Sequence, residues 1–403
     1  MIYLDYAATT PVDPEVIQAM QECLGLEGDF ANPSSLHRLG WLAAEKIKHA
    51  RGQIARLVGA DSKAIIFTSG ATEANNLAIK GVCEAYQKRG RHIITSKAEH
   101  KSVLDVFAVL EKQGFEVTYL TPNKQGLIDP EILQTAMHEQ TILVSLMHVN
   151  NELGVAHDLV ALGTIVKAHG AIFHVDAVQA LGKLPIDLAE LPVDLMSFSA
   201  HKCYGPKGVG TLFVRRRPKV RLHAQQHGGG HELGLRSGTL ATHQIVGFGR
   251  ACELAEEKLN EEPQRVMALR DRLWQGLSQY DQVYWNGQGA LTQAPGILSV
   301  SFAGVDGESL LACLPELAVS QGSACNSTTV EISHVLAAIG MPAERAHSTL
   351  RFSLGRYSTL AEVDQVIEQV GRALTHLRKL SPTWQVQQAG ADPALLPWRR
   401  YVE

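Results

Sequence analysis

The chain has 403 residues, 45% of them hydrophobic and 19% charged, with 37 basic against 41 acidic side chains and a net charge of −4. At roughly 150 residues per domain this is enough for two or three domains, and a core of that size needs no disulfide or metal staples. The apolar content excludes a disordered chain, no run of ~20 uncharged apolar residues could span a bilayer, and the near-neutral charge gives no reason to expect direct nucleic-acid binding.

The N-terminus, MIYLDYAATT, lacks a basic region and carries Asp5 in its apolar part, so no secretory leader is expected. Apolar runs of strand length then alternate with helical patterns. Residues 64–68, 92–96, 116–120, 141–147, 171–175, 195–199 and 210–214 read as short buried strands. Between them lie helix-like segments such as 72–87 and 158–168. This rhythm predicts an α/β layer with a mostly parallel central sheet. From 244 to 280 the pattern turns helical and charged, consistent with one long connecting helix. Beyond it come a strand at 296–302, a loop of small residues at 322–329, a strand at 348–353 and a helix from 359 to about 380. The expected organisation is a large α/β domain over 13–260, and a smaller α+β domain made of 1–12 and 261–403. The tail from Ser381 holds Pro382, Pro393 and Pro397 with Trp384 and Trp398. It reads either as a strap over the surface or as a partner-docking segment, tryptophan being a favoured interface anchor.

Six cysteines stand at 23, 83, 203, 252, 313 and 325. None forms C-x-x-C, and the spacing fits neither a zinc nor a disulfide framework, so reduced thiols in a cytoplasmic setting are expected.

Ligands of open α/β sheets bind beyond the carboxyl ends of the strands, so the residues there matter most. After 64–68 comes Ser69-Gly70-Ala71-Thr72-Glu73, opening a helix. Small residues there let backbone N–H groups approach an anion; a plain helix cap is the alternative. Asp176 follows 171–175, where it would be partly desolvated and would want a cation; it too could simply cap a helix. After 195–199 come Ala200, His201, Lys202 and Cys203. A lysine at the mouth of a buried strand can lose its proton by desolvation and act as a Schiff-base nucleophile. A phosphate-ready turn, Asp176 and Lys202 together describe a pyridoxal phosphate site, with the lysine as Schiff-base former and the carboxylate on the pyridinium nitrogen. No P-loop is present, and no G-x-G-x-x-G joins a strand to a helix.

At these residues the sequence resembles the cysteine desulfurases, the NifS/IscS group of class V pyridoxal phosphate enzymes, and most closely the housekeeping IscS type. The likeness runs almost the whole length. It rests on YLDYAATTPVDP at the start, NPSSLH at 32–37, FTSGATEANN at 67–76, EHKSVLD at 99–105, HVNNELGV at 148–155 and HVDAVQ at 174–179. It continues through SFSAHKCYGPKGVG at 197–210, HGGGHELGLRSGTL at 227–240, GSAC at 322–325 and HSTLRFSLGR at 347–356.

The resemblance implies a type I pyridoxal phosphate transferase fold and conversion of L-cysteine to L-alanine. It implies that Lys202 holds the cofactor and moves the substrate Cα proton, and that His100 stacks on the ring and assists proton transfer. Asp176 would pair with the pyridinium nitrogen and Gln179 with the phenolic oxygen. Ala71, Thr72, Ser199 and His201 would hold the phosphate, joined by Thr239 of a second subunit in a homodimer. Asn151 and Arg351, assisted by Asn32, would take the substrate carboxylate. Cys325, in a run of small polar residues expected to be a mobile loop, would accept sulfur as a persulfide. The implied acceptors are an iron–sulfur scaffold protein of the IscU type and TusA-like carriers for tRNA and cofactor thiolation. The resemblance implies no resident metal, Cys325 at most ligating a scaffold-bound cluster in passing.

Three positions depart from the family pattern. Ala200 stands where Gly is usual, Cys203 where an aliphatic residue is usual, and Asn326 where Thr or Ser is usual. Cys203 reads as packing. The rival readings are a desulfurase dedicated to nitrogenase maturation or DNA phosphorothioation, a selenocysteine lyase, and a non-enzymatic sulfur scaffold. A zinc hydrolase built on His223, His227 and His231 is opposed by Gly228-Gly229-Gly230, which breaks any helix carrying all three. The basic run Arg215–Arg221 reads as a solvated turn or as a docking face for acidic sulfur acceptors.

Overall fold

The computed structural model describes residues 1–321, 323–326 and 329–388. After a short strand β1 (Ile2–Tyr3) come seven strands of one sheet. They are β2 (Ile65–Thr68), β3 (His92–Ser96), β4 (Glu116–Leu120), β5 (Thr141–Met147), β6 (Ile172–Asp176), β7 (Leu195–Ser199) and β8 (Gly210–Val214). Their order is β2-β8-β7-β6-β5-β3-β4, and only β8 runs antiparallel to its neighbours. Every residue of β2, β3, β5, β6, β7 and β8 is buried, because helices cover both faces and an unbroken apolar run is what such a strand needs. Successive residues feed opposite cores: Phe67 joins one with Ile54, Phe173 and Phe248, while Ile66 joins the other with Leu77, Phe107 and Leu212. The fold is thus α/β with a mostly parallel central sheet, as the strand-helix rhythm predicts.

The remaining strands are β9 (Val283–Asn286), β10 (Ile297–Phe302), β11 (Leu317–Ala318), β12 (Ser320–Gln321), β13 (Ser323–Asn326), β14 (Thr329–Ile332) and β15 (Thr349–Ser353). An antiparallel sheet in the order β12-β15-β10-β9 packs against the helices Glu262–Leu277 and Leu360–Leu380 through Leu273, Phe302, Phe352, Val366 and Leu374. β1 pairs in parallel with β11, and Leu4 lies in this same core. No helix among the described residues is long and apolar enough to cross a membrane.

Two expectations are corrected. The long helix over 244–280 is two helices, Thr242–Lys258 and Glu262–Leu277, because Pro263 can sit only in the first turn of a new one. The small-residue loop contains a hairpin, β13 pairing with β14 so that Cys325 faces Val330 in register. The β-branched run at 329–332 supplies its second strand. In the tail, Trp384 packs against the body of the protein, in keeping with the strap reading. It lies on a short helix, Pro382–Gln388, with the Arg378 guanidinium 3.9 Å from its ring centroid, and closes over Gly304. Trp398, Pro393 and Pro397 lie outside the described residues.

Candidate active site

The parallel strands β5, β6 and β7 end on one edge of the sheet, and their following residues line a cleft of about 550 Å³. Ala71, Thr72, His100, Asn151, Asp176, Gln179, Ser199, His201, Lys202 and Arg351 all border it. Asn32 and Thr239 do not; both are exposed elsewhere on the chain. Cys325 lies on β13, and its side chain lies outside the described residues.

Lys202 ends a single 3-10 turn, Ala200–Lys202, directly after β7. Its Nζ donates to the carbonyls of Ala7 and Ala8, each at 2.6 Å. Burial, aided by Lys183 and Arg351 and opposed by Asp5 and Asp176, pushes its ammonium down to about 7. Near neutral pH about half of the amine is therefore free, whereas an ordinary lysine offers roughly one part in 2,500. Only the neutral amine attacks a carbonyl. The rate of cofactor loading onto the apoprotein should therefore rise with pH through about 7 and then level off, a profile that stopped-flow absorbance would record. A rate still climbing steeply to pH 10 would contradict it.

Asp176 closes β6, buried to 7% exposure. One of its oxygens accepts from the Val178 N–H at 3.1 Å and the other from Asn75 Nδ2 at 2.8 Å. Neither donor is a cation. Asn75 Nδ2 also lies 2.9 Å from Ser102 Oγ, which is 2.9 Å from His100 Nδ1. His100 is the N-cap of the helix Lys101–Lys112, and its Nδ1 accepts the Ser102 N–H, so its ring proton sits on Nε2. Burial, with Lys202 and His334 adding and Asp176 opposing, holds this imidazole below its usual range and neutral. Asn75 and Ser102 were not singled out from sequence. The one signal was a polar residue on the buried face of a helix: Asn75 is 0% exposed.

The helix Ala71–Tyr86 starts at Gly70, whose φ of +153° suits glycine, and no side chain caps it. β8 begins hard against that turn, since a Cβ on Gly210 would lie 2.7 Å from Gly70 Cα. Its N–H groups, with Thr72, Ser199 and His201 around them, form an anion cradle. Glu73 would oppose an anion there, but Arg236 ties it up at 2.8 Å. Burial and the neighbouring lysines 202, 207 and 183 push His201 down to about 4, so it is neutral.

Across the cleft Arg351, on β15, reaches Asp5 and Ser320 with Nη2, both at 2.9 Å, and the Asn151 carbonyl with Nη1 at 2.8 Å. Its Nε is buried without a partner, the kind of donor a bound carboxylate would satisfy. An uncapped helix start, a desolvated carboxylate with only neutral partners and a partly neutral lysine fit the phosphate, the pyridinium nitrogen and the aldehyde of pyridoxal phosphate respectively. The His223, His227 and His231 trio lies outside any helix of the structure.

Residues 2–366 match the family model described as Aminotransferase class-V. The chain is 57% identical over 404 residues to the cysteine desulfurase IscS of Pectobacterium atrosepticum, covering 99% of both chains. Among solved structures it is similar to a NifS-like protein with a TM-score of 0.86 at 37% identity, over 93% of this chain and 99% of that one. It is also similar to SspA, solved in complex with cysteine, with a TM-score of 0.79 at 38% identity, over 89% of this chain and 100% of the other.

Proposed function

Since this chain belongs to the class-V aminotransferase family, we propose that its cleft is the active site of a pyridoxal phosphate-dependent cysteine desulfurase that feeds iron–sulfur cluster assembly. The observation that carries this is the half-buried Lys202, its amine partly neutral near pH 7, between the Asp176 carboxylate and Arg351. Bound there, pyridoxal phosphate supplies an electron sink for carbanion chemistry at the substrate.

The chain's own groups do the rest. Arg351, with Asn151 beside it, binds the carboxylate of L-cysteine, and Lys202 moves the proton at Cα. Neutral His100 offers its Nε2 proton in the cleft, while Asp176, Gln179, Thr72, Ser199 and His201 hold the cofactor. The Cys325 thiolate attacks substrate Sγ: the Cβ–Sγ bond breaks, an S–S bond forms, and Cβ takes a proton. One thiol and one cysteine thus become one persulfide and one alanine, and no external oxidant is needed. The test is incubation with L-cysteine and pyridoxal phosphate, measuring alanine, sulfide and persulfide on Cys325. Catalytic alanine is the expected result, and its absence from a cofactor-loaded protein would remove the proposal.

Thr239 is exposed on this chain, which supports its serving a neighbouring subunit's cleft in a cytoplasmic homodimer. The apolar surface at Leu24, Leu26, Phe30, Leu36 and Trp41, with Leu26 at 89% and Leu36 at 87% exposure, suits burial against a second copy. Asn32 sits within that same segment. Sulfur acceptors of the IscU or TusA type would dock on the basic turn. Arg215 is not part of that face, being spent on the carbonyls of Leu188, Leu191 and Val193. Arg216, Arg217, Lys219 and Arg221 are exposed. Charge reversal at Arg216 and Arg217 should weaken acceptor binding in a salt-dependent way, by titration calorimetry; unchanged affinity would exclude this face.

A further inference from the structure

A second lysine reaches the cofactor region without a role in the chemistry above. Lys183 Nζ donates to Gln179 Oε1 at 3.1 Å, Gln179 Nε2 donates to the Ala7 carbonyl at 2.8 Å, and Lys202 Nζ donates to that same carbonyl at 2.6 Å. The two lysines are thus the ends of one hydrogen-bonded row. An ammonium can only donate and a carbonyl can only accept, so Lys183 and the Ala7 carbonyl together hold the amide oxygen of Gln179 toward the lysine and its nitrogen toward Ala7 and the cleft. Without Lys183 the Ala7 carbonyl alone would hold the amide in this sense, and the amide oxygen would lose its charged donor.

We infer that Lys183 is a positioning residue: it fixes Gln179 as a hydrogen-bond donor toward the cofactor's phenolic oxygen and sets a second positive charge beside Lys202. This rests on the reading of the cleft as a pyridoxal phosphate site. The surroundings of Lys183 keep that charge only partly neutralised. Burial pushes its ammonium down to about 8, with Cys203 and Glu262 opposing and Arg351 adding to the shift. Facing Lys202 are Lys183, Arg351, Asp5, Asp176, His100 and the neutral His201, so removing Lys183 tips the local balance toward the carboxylates.

The experiment uses the holoenzyme and two readouts other than turnover: the pH at which the visible band of the bound cofactor titrates, and the rate at which pyridoxal phosphate dissociates. Lys183→Met should move the titration up by about one pH unit, since a lost neighbouring cation raises proton affinity. It should also speed dissociation about 10-fold, the scale of one lost hydrogen bond to a charged group. Lys183→Arg, which keeps charge and donors, should stay near wild type in both. In a Gln179→Ala background, Lys183→Met should add nothing to dissociation, because it acts through that amide. A folded Lys183→Met protein whose band titrates as in wild type would overturn the inference. So would an equal effect of Lys183→Met on dissociation with and without Gln179. A wild-type protein that shows no visible band with pyridoxal phosphate would instead refute the reading beneath it.

Discussion

Lys202→Ala should yield a protein that no longer shows the visible band of a lysine-bound cofactor and that produces alanine from cysteine at least ~10⁴-fold more slowly. Two losses combine. The covalent anchor disappears, and so does the amine whose proton affinity burial lowers to about 7. Arginine cannot substitute, because its guanidinium stays protonated and is no nucleophile at neutral pH. The protein should still fold. The Ala7 carbonyl keeps its bond from Gln179, and the strand before Lys202 is held by β6 and β8 on its two sides. Absorbance and alanine release on the same preparation check this, with circular dichroism to confirm folding. A retained visible band would remove Lys202 from its role.

Cys325→Ala should do the opposite to the spectrum. The band stays, cysteine still perturbs it, and alanine release falls by more than ~10³-fold with no persulfide detectable by mass spectrometry. The other thiols offer no replacement. Cys83 is pushed up to about 12 and Cys203 up to about 11 by burial, and Cys252 and Cys23 are raised by burial too. A thiol that cannot ionise is a poor nucleophile. This also answers for Cys203, which adjoins Lys202 in sequence but belongs to the main core. Cys313 is exposed, beyond the residues that line the cleft. The hairpin carrying Cys325 follows β12, whose Ser320 donates to Asp5 at 2.8 Å and accepts from Arg351. The segment that bears Cys325 is therefore rooted beside Arg351. Full turnover in the variant would exclude Cys325 as sulfur acceptor.

Part of the cleft was legible because its chemistry sits at strand ends, where an apolar run stops and the next residue is forced to the rim. Asp176, Lys202 and the turn at Gly70 are of that kind. His100, Asn151, Gln179, Ser199, His201 and Arg351 took their roles only from the family resemblance. Asn75, Ser102, Asp5 and Ser320 were not legible. Each is an ordinary polar residue alone, and its part follows from partners brought together by long-range packing, as Asn75 to Asp176 and Ser320 to Asp5 illustrate. Lys183 was hidden for another reason: four residues past Gln179 in a turn, it looks like a solvated lysine until the fold shows what it holds. The hairpin around Cys325 was misread because the small residues of 322–328 outweighed Thr329, Val330 and Ile332. The broken helix near 260 was readable from Pro263 alone.

The first ten residues have a consequence for how the enzyme is made. Asp5 meets Arg351 across 346 positions, and β1 meets β11 almost as far along the chain. At 5–20 residues per second a ribosome needs roughly 20–70 s to bring those partners out. During that interval the N-terminal segment has no strand to join, and once Lys202 has emerged the cleft still has no guanidinium opposite. The Arg351 side of the cleft is thus among the last parts of the molecule that translation can complete, so the cleft cannot close before nearly all of the chain has been synthesised.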